Sequence, residues 1–74
     1  VYKRQPLPMN IFLNNEPEIL SDGSTIKKLL ENKNIKNTYY AVEINRKIIP
    51  KSHHETYVIK DGDRVEIITA IGGG

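Results

Sequence analysis

Asp22-Gly23-Ser24-Thr25-Ile26-Lys27-Lys28-Leu29-Leu30 holds the turn, the cap and the apolar stripe of one helix. Asp, Gly and Ser favour a turn because they tolerate left-handed backbone or bond to it locally. Ser24 or Thr25 can accept a hydrogen bond from an orphan N–H of the first helical turn. Ile26, Leu29 and Leu30 fall at i, i+3 and i+4, one stripe to bury, while Lys27, Lys28, Glu31 and Lys33 form the wet side. The helix is expected to end near Asn32 to Asn34, where asparagine accepts a left-handed terminal position.

Upstream, Asn10 to Asn14 alternates, with Ile11 and Leu13 on one face. Asn15-Glu16-Pro17 interrupts it, and a short strand around Glu18-Ile19-Leu20 completes a hairpin. Downstream, Tyr40 to Asn45 is a strand in which Val42 and Ile44 share a face. Asn45-Arg46-Lys47 turns the chain, and Ile48-Ile49 is a short step ended by Pro50. Residues 51–56 are polar, a loop or a single helical turn, and Tyr57-Val58-Ile59 returns to the core. Asp61-Gly62-Asp63 is a turn, and the last strand runs from Arg64 to Ile71.

The order is β-β-α-β-β-β. One amphipathic helix must cover one face of the sheet. The fold class is α+β, with the helix packed on a mixed four- to five-stranded sheet. The expected core is Ile11, Leu13, Ile19, Ile26, Leu29, Leu30, Val42, Ile44, Tyr57, Ile59, Val65 and Ile67. Residues 1–8 are read as a flexible extension, 9–71 as the domain and 72–74 as a flexible Gly-Gly-Gly tail.

Seventy-four residues allow one small domain, too small for a deep multi-residue active site. Zero cysteines exclude disulfides, a thiol nucleophile and cysteine-based metal sites. No apolar run approaches the ~20 residues that span a bilayer, so no membrane role is expected and a cytoplasmic location is. Eleven basic residues against nine acidic give a net charge of +2. Lys3 and Arg4 account for the excess, so the balance from Met9 onward is neutral. That is a poor footprint for nucleic acid.

No Ser/His/Asp arrangement, phosphate loop or helically spaced carboxylate pair is present. His53-His54 is read as a solvated loop pair, because adjacent residues do not share a face and no cysteine adds ligands. Asp61-Gly62-Asp63 lacks the remainder of a calcium loop. No metal and no bound cofactor are expected.

The three terminal glycines are either a frayed end without a role or the place where chemistry is done. A free carboxylate at Gly74 is ionised at neutral pH, and three extended residues reach ~10 Å from the domain. Glycine has no Cβ, so such an arm can thread a narrow channel. In the last strand Val65 and Ile67 point to the core. Glu66, Ile68 and Ala70 point the other way, leaving Ile68 and Ala70 as an apolar patch beside the tail.

Taken in order, these pieces resemble the ThiS family of sulfur carriers of thiamine (thiazole) biosynthesis, ubiquitin-like proteins of the β-grasp fold. The resemblance covers Met9 to Gly74. It rests on Met9-Asn10-Ile11, on Asp22 to Ile26 leading to Leu29-Leu30, and on Val42-Glu43-Ile44-Asn45. It continues through Ile48-Ile49-Pro50-Lys51, Asp61 to Ile67, and Ile71-Gly72-Gly73-Gly74. It implies a protein cosubstrate, not an enzyme. A ThiF-like adenylating enzyme, similar to the ubiquitin-activating class, would use ATP to adenylate the Gly74 carboxylate. A persulfide sulfurtransferase or cysteine desulfurase would then supply sulfur, giving a thiocarboxylate for thiazole synthase. On that basis Gly74 is the modified residue, Gly72 and Gly73 thread the channel, and Ile68, Ala70 and Ile71 dock the partner. The alternatives are the small subunit of molybdopterin synthase, an isopeptide-forming modifier, and a β-grasp module binding protein or RNA.

Overall fold

The computed structural model describes residues 7–35 and 40–69. Five strands and one helix follow the expected order: β1 (Pro8–Leu13), β2 (Glu16–Ser21), α1 (Ile26–Asn32), β3 (Tyr40–Ile44), β4 (Lys47–Ile49) and β5 (Arg64–Thr69), with a 3₁₀ turn at Lys51–His53 before β5. The sheet order is β2-β1-β5-β3-β4. Two antiparallel hairpins thus flank β5, which runs parallel to β1 and antiparallel to β3.

Thr25 caps α1, its hydroxyl accepting from the Lys28 N–H at 3.1 Å. Ser24 is a buried support, its hydroxyl donating to the Ser21 carbonyl at 2.7 Å. The returning segment before β5 takes further first-turn donors. Ile26 N–H reaches the Tyr57 carbonyl and Lys27 N–H that of His54. Asn34, with φ +58°, supplies the left-handed residue beyond the helix. Ile26, Leu29 and Leu30 are buried against Met9, Ile11, Leu20, Val42, Ile44, Ile59 and Val65.

The core differs from expectation at β2. Leu20 is buried, whereas Ile19 is 68% exposed. The turn falls at Asn14-Asn15, both with positive φ, so Glu16 and Pro17 belong to β2 instead of breaking it. In that register Met9 lies opposite Leu20 and Asn10 opposite Ile19. Leu20 therefore joins the face of Met9 and Ile11, and Ile19 is turned outward. Pro17 is accommodated because β2 is an edge strand. Met9 also enters the core, while Leu13, Tyr57 and Ile67 are half-buried around it.

Candidate functional site

β5 is the central strand, so whatever follows Thr69 leaves from the middle of the sheet. Its alternation is as expected: Val65 is fully buried, Ile67 half-buried, and Ile68 exposed on the outward face. Ile68 lies opposite Ala41 of β3. Ala70, Ile71, Gly72, Gly73 and Gly74 lie outside the described residues, as do residues 1–6 of the proposed extension. The sheet itself begins at Pro8, and the Leu7 carbonyl accepts from the Asp22 N–H at 2.8 Å.

Around Ile68 the outward face is mixed. Glu66 and Glu43 stand directly opposite one another, both half-buried, and neither forms an ion pair among the described residues. Like charges in that position repel. Ile48 continues the row beyond Glu43 and is exposed. On the other side of β5, the Arg64 guanidinium stands 6.0 Å from the centre of the Phe12 ring. The face is therefore apolar residues separated by charges, not an oily patch.

The two hairpin turns hold β5 from either side. At the Asn45-Arg46 turn, the Asn45 N–H donates to the Arg64 carbonyl at 2.8 Å. Its side-chain Oδ1 accepts from the Arg64 N–H at 3.0 Å, and its Nδ2 donates to Asp63. At the Asn14-Asn15 turn, the Asn14 N–H donates to the Val65 carbonyl at 2.9 Å. Its Oδ1 accepts from the Ile67 N–H at 2.9 Å. Sequence reasoning passed over both carboxamides, although Asn in a tight turn is itself a signal for left-handed backbone.

His54 is buried, in contrast to the expectation for His53-His54; His53 alone is solvated. The 3₁₀ turn points the His54 ring inward, with Nε2 2.9 Å from the Ile49 carbonyl and the ring 5.9 Å from that of Tyr40. Lys27 is exposed. Its hydrogen bond to Glu55, then the charges of Glu55 and Glu31, hold its ammonium above the ordinary lysine range. Among the described residues no three His, Asp or Glu side chains gather as a metal site. No helix there is long and apolar enough to cross a membrane. A shallow cleft of about 360 Å³ is lined by Leu7, Met9, Asp22 and Asp61, and the Asp61 Oδ1 there accepts from the Asn10 N–H at 2.7 Å.

Comparison with known proteins adds what the geometry leaves open. The model of the ThiS family matches residues 9–74, nearly the whole chain and all three terminal glycines. The chain belongs to the ThiS family. A solved structure of the thiamine biosynthesis protein ThiS from Geobacter metallireducens superposes with a TM-score of 0.77 at 28% identity, covering 89% of this chain and all of that one. This is the α+β, ubiquitin-like β-grasp fold. The sulfur carrier protein ThiS of Escherichia coli is 29% identical over 66 residues, 89% of this chain and 100% of that protein. A thiazole synthase of Paramagnetospirillum magneticum is 36% identical over 66 residues, again 89% of this chain. The chain spans only 20% of that synthase's length.

Proposed function

We propose that this ThiS-family chain is the sulfur carrier of thiazole formation, a protein cosubstrate whose reacting group is the Gly74 carboxylate. The single observation that carries the reading is the family match running through Gly74. The matched range takes in β5, the central strand, and the three glycines that follow it in the sequence. The carboxylate is a poor acyl donor. Attack of its oxygen on the α-phosphorus of ATP, with loss of pyrophosphate, gives an acyl adenylate with a good leaving group. The terminal sulfur of a partner's persulfide then displaces AMP, and a second thiol reduces the resulting acyl disulfide to the thiocarboxylate. ATP belongs to the adenylating enzyme, and this chain holds no cofactor of its own.

Partner recognition falls to the outward face of β5, with Ile68 at its apolar centre and Ala70 and Ile71 continuing toward the tail. Thiazole synthase is the proposed acceptor. The match of this domain to one-fifth of a thiazole synthase supports that choice, because sharing a polypeptide raises the effective concentration of two cooperating modules.

Intact mass after incubation with ATP, a persulfide donor and an adenylating enzyme tests the reading. An oxygen-for-sulfur exchange placed on Gly74 by fragmentation is the expected result. Fragmentation is needed because oxidation of Met9 adds nearly the same mass. Consumption of that sulfur by thiazole synthase assigns the pathway, whereas consumption by a molybdopterin precursor assigns the other one. No adenylate and no exchange, with an authentic carrier active in the same tube, overturns the proposal.

A further inference from the structure

Past Val65, β5 is held unequally on its two sides. Toward β3 the ladder continues to Thr69, opposite Tyr40. Toward β1 the pairing covers only Phe12 with Arg64 and Leu13 with Val65. The next acceptor in a parallel ladder would be the Asn14 main-chain carbonyl, but Asn14 has entered the turn at φ +50°. Its side-chain Oδ1 takes that place and receives the Ile67 N–H at 2.9 Å. This bond joins residues 53 positions apart and adds one rung to the sheet where the backbone of β1 has already turned away.

We propose that Asn14 is a positioning residue for the C-terminal tail, an inference that rests on the carrier reading above. Its carboxamide holds β5 at Ile67 on the side that β1 has left, so that the last residues of the strand do not depend on the β3 ladder alone. A strand held on both sides at Ile67 leaves less of β5 to be ordered when a partner engages the chain beyond it.

Three variants test this in the intact chain. Asn14→Gly keeps the positive φ and loses the acceptor. Asn14→Asp keeps both an oxygen at that position and tolerance of the left-handed backbone. Asn45→Gly removes the matching carboxamide contacts at the start of β5, remote from the tail. Amide exchange of Ile67 in the free protein is read first. Asn14→Gly should speed it roughly ten-fold, the worth of one lost hydrogen bond.

Adenylation kinetics follow at a temperature where all variants are folded. Asn14→Gly should lower kcat about five-fold with KM within about two-fold, since docking is retained and delivery is impaired. Asn14→Asp should restore most of the rate, and Asn45→Gly should leave both constants unchanged while lowering stability. Native kcat in Asn14→Gly despite an opened Ile67 amide overturns this inference and leaves the carrier reading standing. So does an equal kcat loss in Asn45→Gly. A wild-type chain that is no substrate overturns both.

Discussion

Ile19 and Leu20 are neighbours of nearly equal apolarity, and the fold sends them to opposite faces of one sheet. The same division runs through every strand. Met9, Ile11, Leu20, Val42, Ile44 and Val65 lie under the helix, while Phe12, Ile19, Ile48 and Ile68 face outward. The inward residues touch one another and the helix in a single cluster. The outward ones are interrupted by Arg64, Glu66 and Glu43. Apolarity therefore does not decide a residue's job in this sheet; register does. Substitutions on one face are experiments on stability, and those on the other are experiments on recognition.

The most damaging test of that division is Ile11→Ala. Removing a fully buried side chain between hairpin and helix should cost about 2–5 kcal/mol. A 74-residue domain has roughly 4–11 kcal/mol in total. Urea denaturation should show a large fall in midpoint or no folded baseline, and a cost below about 1 kcal/mol would break the comparison.

Next comes the neighbouring pair itself. Leu20→Ala should cost upwards of about 2 kcal/mol, and Ile19→Thr less than about 0.5 kcal/mol. Equal costs would mean that β1 and β2 pair in another register.

Ile68→Thr keeps a β-branched residue and so should barely move the denaturation midpoint. Its effect belongs to the other currency: KM for the adenylating enzyme should rise about five-fold, as for an apolar interface anchor. An unchanged KM would remove Ile68 from the docking surface.

The smallest effect is expected at Glu43→Gln. Relieving the contact with Glu66 should stabilise the chain by about 0.2–0.5 kcal/mol at low salt. The gain should shrink in ~1 M salt, where the screening length falls to about 3 Å. A gain that survives high salt would point to something other than charge.

Much of this was legible in the sequence. The helix could be read from Thr25, the Ile26-Leu29-Leu30 stripe and the terminal asparagines, because caps and periodicity are local. The facing of β5 was legible because Glu66 labels one side. The segment Glu18-Ile19-Leu20 was not, since three residues carry too little alternation to choose a register and Pro17 looks like a breaker. Only the Asn14-Asn15 turn resolves it. His54 was missed because its burial depends on Tyr40 and Ile49, brought to it by the fold. Of the candidate site, the glycine arm lies outside the described residues, and the outward Ile68 could be read from the alternation of β5. The role of Asn14 could not, because its partner Ile67 is remote in the chain.

The central place of β5 has a consequence for how the molecule comes into being. Without it, β1–β2 and β3–β4 are two separate hairpins, each able to form from near neighbours but each with a bare inner edge. Joining them requires contacts across most of the chain, whose closure entropy precedes any reward. The sheet therefore stays in two halves until Arg64–Thr69 pairs between them. Truncated products lacking that strand expose both bare hairpins to proteases and to one another. Because Thr69 ends the strand that completes the sheet, only a finished fold holds that strand end in its place.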